Sequence, residues 1–194
     1  MTGGRADVAT ISLLGGHLAL DFANTIEDRT GDHPEDTLRS TDDLRRWGVR
    51  VAALDDTATA APQELARALA LRAHLLELLA ALTEDRPLAL RDTDALADAA
   101  ANAYANGRLV PAADGVLGWS WDPSHLATVR HTVAVTALDL LSGPMSSRIH
   151  RCANPDCGWY VLDTSKNASR RWCSMAGCGN LAKTRRRRLD RPAR

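Results

Sequence analysis

The spacing of apolar residues predicts helices along most of the first three-quarters of the chain. Leucines recur every three to four residues over positions 62–83, as one face of a helix requires. The same spacing predicts further helices over 92–106 and 124–142, which Gly107 and Gly143-Pro144 would end. These segments indicate a multihelical domain.

A shorter helix and one β-hairpin are predicted between these segments. Ser40 or Thr41 can cap a helix, because acidic residues follow in what would be its first turn. Residues 108–123 alternate between apolar and polar positions around Asp114-Gly115, a pair that is typical of a tight hairpin turn. The first 145 residues are therefore expected to be mainly α, with a little β.

The N-terminal segment is harder to interpret. Residues 18–25, with the sequence LALDFANT, fit the spacing of both a strand and a helix. Residues 27–36 contain Gly and Pro among polar residues and predict a loop. Residues 1–12 are expected to form a loose tail.

Composition indicates a cytoplasmic globular protein. The chain has 194 residues and is 45% hydrophobic, which allows one large domain and a small module. No apolar run is long enough to span a membrane, and the N-terminus lacks the basic and apolar regions of a signal peptide. All four cysteines lie within residues 152–178, which in the cytoplasm favours metal binding over disulfides.

The formal net charge of zero hides two oppositely charged segments. Residues 1–150 carry a net charge of −8 and residues 151–194 a net charge of +8. Such a division predicts two parts with different partners, of which the basic part attracts polyanions. We place the boundary at the Gly-Pro pair, which gives domains of residues 1–145 and 146–194.

The cysteine spacing predicts a structural zinc site with one ion per chain. The pattern is C-x4-C, fifteen residues, then C-x4-C, with Cys152, Cys157, Cys173 and Cys178 as ligands. Four thiolates satisfy tetrahedral zinc and leave no position for a substrate. Reduced core cysteines, a disulfide pair and an iron–sulfur cluster remain alternatives, and His150 is a substitute ligand that more simply lies at the surface.

The residues between the cysteine pairs suggest how the module folds. Trp159 to Leu162 favour a strand and 165–169 a turn, so we expect a hairpin between the two pairs and a helix after the second. A hairpin followed by a helix around four ligands is a treble-clef-like arrangement. Met175, Cys178 and Leu181 recur at helical spacing, so Leu181 is expected to face the metal core or the hairpin.

Two stretches resemble known families. The segment RCANPDCGWYVLDTSKNASRRWCSMAGCGNLAKTRRRR, residues 151–188, resembles the CGNR zinc finger almost continuously. The stretch LALDFANT is similar to the opening motif of the ABATE domain, which precedes that finger in such proteins. The resemblance implies a bacterial, stress-induced transcription regulator. Leu181 departs from the family, which has Arg there, and a DNA contact is lost if that Arg touches DNA.

The basic segment predicts DNA binding. Seven basic residues fall within 170–188, and arginine suits both phosphates and guanine edges. The predicted contacts are Arg170, Arg171, Lys183, Arg185, Arg186, Arg187 and Arg188. The alternatives are a solvated basic tail and a zinc-stabilised module that binds protein or RNA, including one that docks on the acidic domain of its own chain.

A charged residue in the apolar arc of the 62–83 helix raises a second hypothesis. Arg72 needs a partner there, because an unpaired buried charge is costly, and Asp21 is the internal candidate. A structural ion pair with an acid is the simpler interpretation. The alternative is a small-molecule pocket lined by Asp21, Asn24, Arg72, Trp119 and Trp121.

Catalysis is not expected, because the chain has no glycine-rich phosphate loop and no nucleophile elbow. The predicted role of the first domain is to sense a signal or to form a homodimer.

Overall fold

The computed structural model describes residues 6–59, 61–111 and 115–189, with side chains placed as far as residue 187. Five helices build its N-terminal part: α1 (Leu18–Ala23), α2 (Thr41–Arg50), α3 (Pro62–Thr83), α4 (Leu90–Asn106) and α5 (Ala127–Ser142). Helices α3, α4 and α5 pack on one another, and α1 and α2 cover them. The predicted mainly α architecture is confirmed, and the ambiguous 18–25 stretch is helical over Leu18–Ala23.

Helix ends follow local sequence chemistry. Ser40 forms the predicted cap of α2: its hydroxyl accepts from the Asp43 N–H, and the Asp43 carboxylate accepts from the Ser40 N–H. Pro62 occupies the first turn of α3, and Gly107 follows the last residue of α4.

One apolar core joins these helices. Phe22 of α1 meets Trp47 of α2 edge to face, with ring centroids 5.2 Å apart, and both side chains are fully buried. Leu75 and Leu79 of α3 and Val133 of α5 complete the centre of the core. Trp47 therefore belongs to the core.

Three small antiparallel pairs of strands accompany the helices. They are β1 (Ile26–Glu27) with β2 (Glu35–Asp36), β3 (Arg108–Pro111) with β4 (Leu117–Ser120), and β5 (Ile149–Arg151) with β6 (Tyr160–Leu162). The β3–β4 pair is the predicted hairpin, with Leu109 opposite Trp119, although its predicted turn residue Asp114 lies outside the described residues.

The N-terminal segment is packed, which corrects the prediction of a loose tail for residues 6–12; residues 1–5 lie outside the described part. Val8 and Ile11 are buried, and Arg50 of α2 donates to the carbonyl of Val8 at 2.9 Å. Because Val8 belongs to the helical core and Ile11 to the cysteine module, this segment joins the two.

The C-terminal module begins with β5 and ends with helix α6 (Asn180–Leu189), which one π-helical turn (Met175–Gly179) precedes. The strands of its hairpin flank the first cysteine pair, so the prediction of a hairpin between the two pairs is wrong. Strand β6 pairs antiparallel with β5, the strand that precedes it in the chain, and β5 has only three residues, too few for a clear alternating pattern. A cysteine-bearing hairpin loop followed by a helix retains the treble-clef-like order.

Within the described residues, no helix combines the length and apolar character needed to cross a bilayer.

Candidate metal centre and nucleic-acid interface

The fold brings the four cysteines into one cluster. Their sulfur atoms all lie within 4.8 Å of one another, and Cys157 Sγ is 3.8 Å from Cys173 Sγ. Zinc–sulfur bonds of about 2.3 Å in a tetrahedron separate the sulfurs by about 3.8 Å. The spacing therefore fits one ion, whereas thiolates on different irons of a cluster lie farther apart. None of the four, all within the described residues, forms a disulfide.

Backbone and amide donors orient the sulfurs. Cys152 leaves β5 with its N–H donating to the Trp159 carbonyl at 2.7 Å, which closes the first cysteine loop. The N–H of Cys173 points at Cys152 Sγ at 3.4 Å, and Asn154 Nδ2 points at Cys178 Sγ at the same distance. Such donors stabilise thiolate charge and fix ligand orientation.

The cluster needs a cation to hold four thiolates. Contact with the Cys157 thiol lowers the pKa of Cys152 to about 2, whereas contact with Cys152 raises the pKa of Cys173 to about 12. Contact with Cys152 also raises the pKa of Cys157. The sulfurs thus share protons among themselves, and a divalent ion that displaces those protons stabilises all four together. With Cys152, Cys173 and Cys178 buried, this is a closed structural zinc site.

The helical part holds this module through the LALDFANT stretch. Asn24 is fully buried at the end of α1, and its amide both donates to the Tyr160 carbonyl and accepts from the Tyr160 N–H, each at 2.8 Å. Trp159 Nε1 donates to the Ile26 carbonyl at 2.9 Å. The side-chain amide of Asn24 therefore bonds to β6 in the way that a neighbouring strand would. Both of its polar atoms are used in these bonds.

Arg170, which the sequence predicts as a DNA contact, has a structural role in the fold. Its guanidinium donates to four carbonyls, those of Leu14, Leu162, Trp172 and Cys173, at 2.6 to 3.3 Å. These bonds tie the N-terminal segment, the end of β6 and the second cysteine pair into one unit.

Asp163 orders the loop that leads to Arg170. Its carboxylate accepts from the N–H groups of Ser165 at 2.8 Å and Arg170 at 2.7 Å. Bonds from Ser165 and the Arg170 N–H lower the pKa of Asp163 to about 2. Sequence reasoning missed this residue, although the Asp-Thr-Ser run is a recognisable side-chain-capped turn.

The remaining predicted basic residues differ in their surroundings. Arg171 is exposed and lies over the Trp172 ring, 5.4 Å from its centroid. Arg185 turns back to the first cysteine loop, where it pairs with Asp156 and donates to Asn154 Oδ1 at 3.1 Å. Lys183, Arg186 and Arg187 are exposed on α6, and the side chain of Arg188 lies outside the described residues.

Leu181 does not face the metal core or the hairpin, which corrects the expectation from helical spacing. Its side chain is 52% exposed, and that of Met175 is 55% exposed. The π-helical turn before α6 shifts the phase of the helix, so the spacing from Met175 no longer predicts which side Leu181 occupies.

The partner predicted for Arg72 is also corrected. Arg72 pairs with Asp36 of β2 and donates to Thr25 Oγ1 at 2.7 Å, whereas Asp21 accepts from the Gly15 N–H at 2.7 Å. Burial raises the pKa of Asp21. The simpler interpretation, a structural ion pair, describes Arg72.

The five residues of the predicted small-molecule pocket are not brought together. Trp119 packs against Tyr104 with the ring centroids 4.7 Å apart and the ring planes tilted by 53°. Trp121 Nε1 donates to the Ala103 carbonyl at 2.7 Å, so both tryptophans pack on α4. Asp21 and Asn24 lie instead on α1 and its C-terminal cap, beside the cysteine module. A pocket that combines these residues is absent from the described part of the chain.

These features define a helical domain that carries a structural four-cysteine zinc finger. Residues 16–144 match the ABATE family, described as "putative stress-induced transcription regulator", and residues 148–190 match the CGNR zinc finger. Because the first match covers more than half of the chain, the protein belongs to the ABATE family. Comparison with curated proteins gave no significant match.

Proposed function

We propose that this protein regulates transcription by binding DNA through the finger. The supporting observation is the arrangement of the basic residues on α6. Arg185 bonds to the first cysteine loop and so fixes the helix against the finger. Lys183 and Arg187 lie four residues apart on one exposed side of the helix. Exposed cations on a helix that a metal site fixes in place suit the DNA backbone.

The way in which the finger docks favours binding by the intact chain. Gly158, Trp159 and Tyr160, in the first cysteine loop and β6, make hydrogen bonds to the helical part. Lys183 and Arg187 stay exposed while the finger is docked. A regulator of this kind acts in the cytoplasm, and the closed zinc site serves as a scaffold without catalytic function.

The test uses full-length protein, because part of the finger lies in the helical core. Binding to a labelled DNA duplex of mixed sequence is measured by fluorescence anisotropy at about 50 and about 200 mM salt. We expect the double variant Lys183→Gln/Arg187→Gln to bind at least about tenfold more weakly at low salt, with a salt slope smaller by about 2, because two phosphate contacts are lost.

The matched control is Arg86→Gln/Arg91→Gln, which removes two exposed charges from the helical part. It should leave DNA affinity unchanged. Absence of binding at low salt would contradict the proposal, and tighter binding to single-stranded RNA of equal length would favour the alternative of an RNA-binding module. Leu181→Arg tests the position at which this chain differs from the family. A large gain in DNA affinity would show that this exposed position contacts DNA.

A further inference from the structure

A groove in the helical part has the features of a small-molecule site. It encloses about 510 Å³ between α3 and α4, and Arg130 of α5 lies at one end. Ala70, Leu71, Ala95 and Ala99 line its apolar portion. The small side chains keep the two helices from filling the space between them, and clefts of this size are typical of ligand sites.

One end of the groove carries two guanidinium groups for one carboxylate. Glu64 is buried in the first turn of α3, and it accepts from Arg67 Nη1 at 2.6 Å and from Arg130 Nε at 3.1 Å. Only one of the two positive charges is neutralised within this group. The shared carboxylate also holds both guanidiniums at the same end, which prepares them for a second anion.

A polar network fixes Arg130 from the other side. Asn102 Oδ1 accepts from Arg130 Nη1 at 3.2 Å and lies 3.2 Å from His131 Nε2. Burial lowers the pKa of His131 to about 4, so this ring is neutral near neutral pH. Asn102 also lines the groove, so its side-chain amide lies near a ligand bound at this end.

The groove also has a defined polarity along its length. Asp98 lies one helical turn from Asn102, and His74 lies further along, with its Nδ1 2.8 Å from the buried Asp92 carboxylate. Apart from Glu64, the acidic residues named here, Asp92 and Asp98, therefore lie away from the arginine end. An anion is attracted to Arg67 and Arg130 and repelled from the middle of the groove.

We propose that this groove binds a small molecule that carries one carboxylate or phosphate group on an apolar body. The anionic group lies between Arg67 and Arg130 and accepts from Asn102, and the apolar body lies on the alanines. The proposal does not depend on DNA binding, and it replaces the pocket that the sequence suggested beside Arg72.

The probes are benzoate and phenyl phosphate, with benzyl alcohol as the uncharged analogue. Saturable binding to the full-length protein is followed by titration calorimetry. We expect both anions to bind and benzyl alcohol to bind at least about tenfold more weakly, as one lost charge-assisted contact predicts. Arg67→Gln should lower the affinity for both anions by about tenfold, whereas Asp98→Asn should raise it by about twofold.

Two matched variants separate the groove from other cationic surfaces. Ala99→Leu fills the groove and should abolish binding, whereas Ala97→Leu, on the exposed side of α4, should leave it unchanged. Circular dichroism verifies that each variant is folded. The proposal is overturned if neither anion binds, or if Ala99→Leu binds them as well as Ala97→Leu does, because the anions would then be held elsewhere.

Discussion

The helical part and the zinc finger of this protein are stabilised by different means. The helical part buries a continuous set of leucines, valines and aromatic rings from five helices. The finger has only a small cluster, in which Ile11, Trp159 and Val161 surround the cysteines. Apolar burial alone can sustain the first region, whereas a segment as short as the second needs a metal.

The two regions nevertheless share residues. Ile149, Tyr160 and Leu162 of the β5–β6 hairpin belong to the helical core, and Ile11 of the N-terminal segment packs in the finger. The sequence boundary near residue 145 is therefore not a boundary in packing. This arrangement means that metal loss should unfold much of the finger and also weaken the helical core that the hairpin completes.

The largest expected effect comes from removing a zinc ligand. Cys173→Ser should abolish tight zinc binding, since structural sites supply about 10–16 kcal/mol and depend on all four thiolates. Helical circular dichroism should persist because α3, α4 and α5 lie outside the finger, but their thermal midpoint should fall. Zinc content by elemental analysis and thermal unfolding provide the two measurements.

The control for this variant is Ser174→Ala, beside the same ligand but without a thiolate. It should retain one zinc per chain. Complete loss of helical signal in Cys173→Ser would show that the helical part cannot fold alone, and full zinc occupancy would show that Cys173 is not a ligand.

A smaller effect is expected at the joint between the regions. Asn24→Ala leaves the N–H and the carbonyl of Tyr160 without their partner inside the protein, which should cost about 2–4 kcal/mol of unfolding free energy. Transfer of zinc to a chelator should also become faster, because β6 loses its support. Urea unfolding and a colorimetric chelator assay measure the two effects.

Asn106→Ala is the reference for this change, since that asparagine is exposed and its amide donates to the Asn102 carbonyl of the same helix. It should alter stability by less than about 0.5 kcal/mol. If Asn24→Ala lowered stability without changing zinc transfer, the two regions would be mechanically independent despite their shared contacts.

Elements that are formed by interactions between residues close in sequence could be predicted from the sequence. The prediction of helices α3 and α5 depends on the spacing of apolar residues, and that of α2 depends on the cap at Ser40. All of these are local signals. The zinc ligands could be predicted because two cysteine pairs with the same internal spacing are typical of a metal site. Both kinds of signal need only a few neighbouring residues.

Interactions between distant residues escaped prediction. Asp36 as the partner of Arg72, Asn24 beside Tyr160 and Arg170 beside Leu14 each join positions that are far apart in the chain. Composition cannot distinguish an arginine that donates to backbone carbonyls from one that is free to bind phosphate, because both kinds occur in the same basic stretch of sequence. The predicted sites therefore include three residues, Asn24, Arg72 and Arg170, whose side chains make internal contacts that stabilise the fold.

The smallest expected effect is the pH dependence of stability that His131 gives the helical part, which differs from the acid response of the zinc site. Burial lowers the pKa of His131 in the helical part from 6.5 to about 4, so the unfolded chain takes up a proton at a higher pH than the folded one. Stability from this group is complete above pH 6.5 and is lost as pH falls toward 4. Between about pH 7.5 and about pH 5, the loss amounts to at most about 2 kcal/mol.

Acid also releases zinc from thiolates, so the wild type alone cannot separate the two responses. In His131→Gln the amide can still donate to Asn102 but does not titrate. Urea unfolding of both proteins across this pH range should give a steeper fall for the wild type. Parallel curves would assign the acid response to the zinc site and to His17, a half-buried histidine whose pKa is also lowered by desolvation.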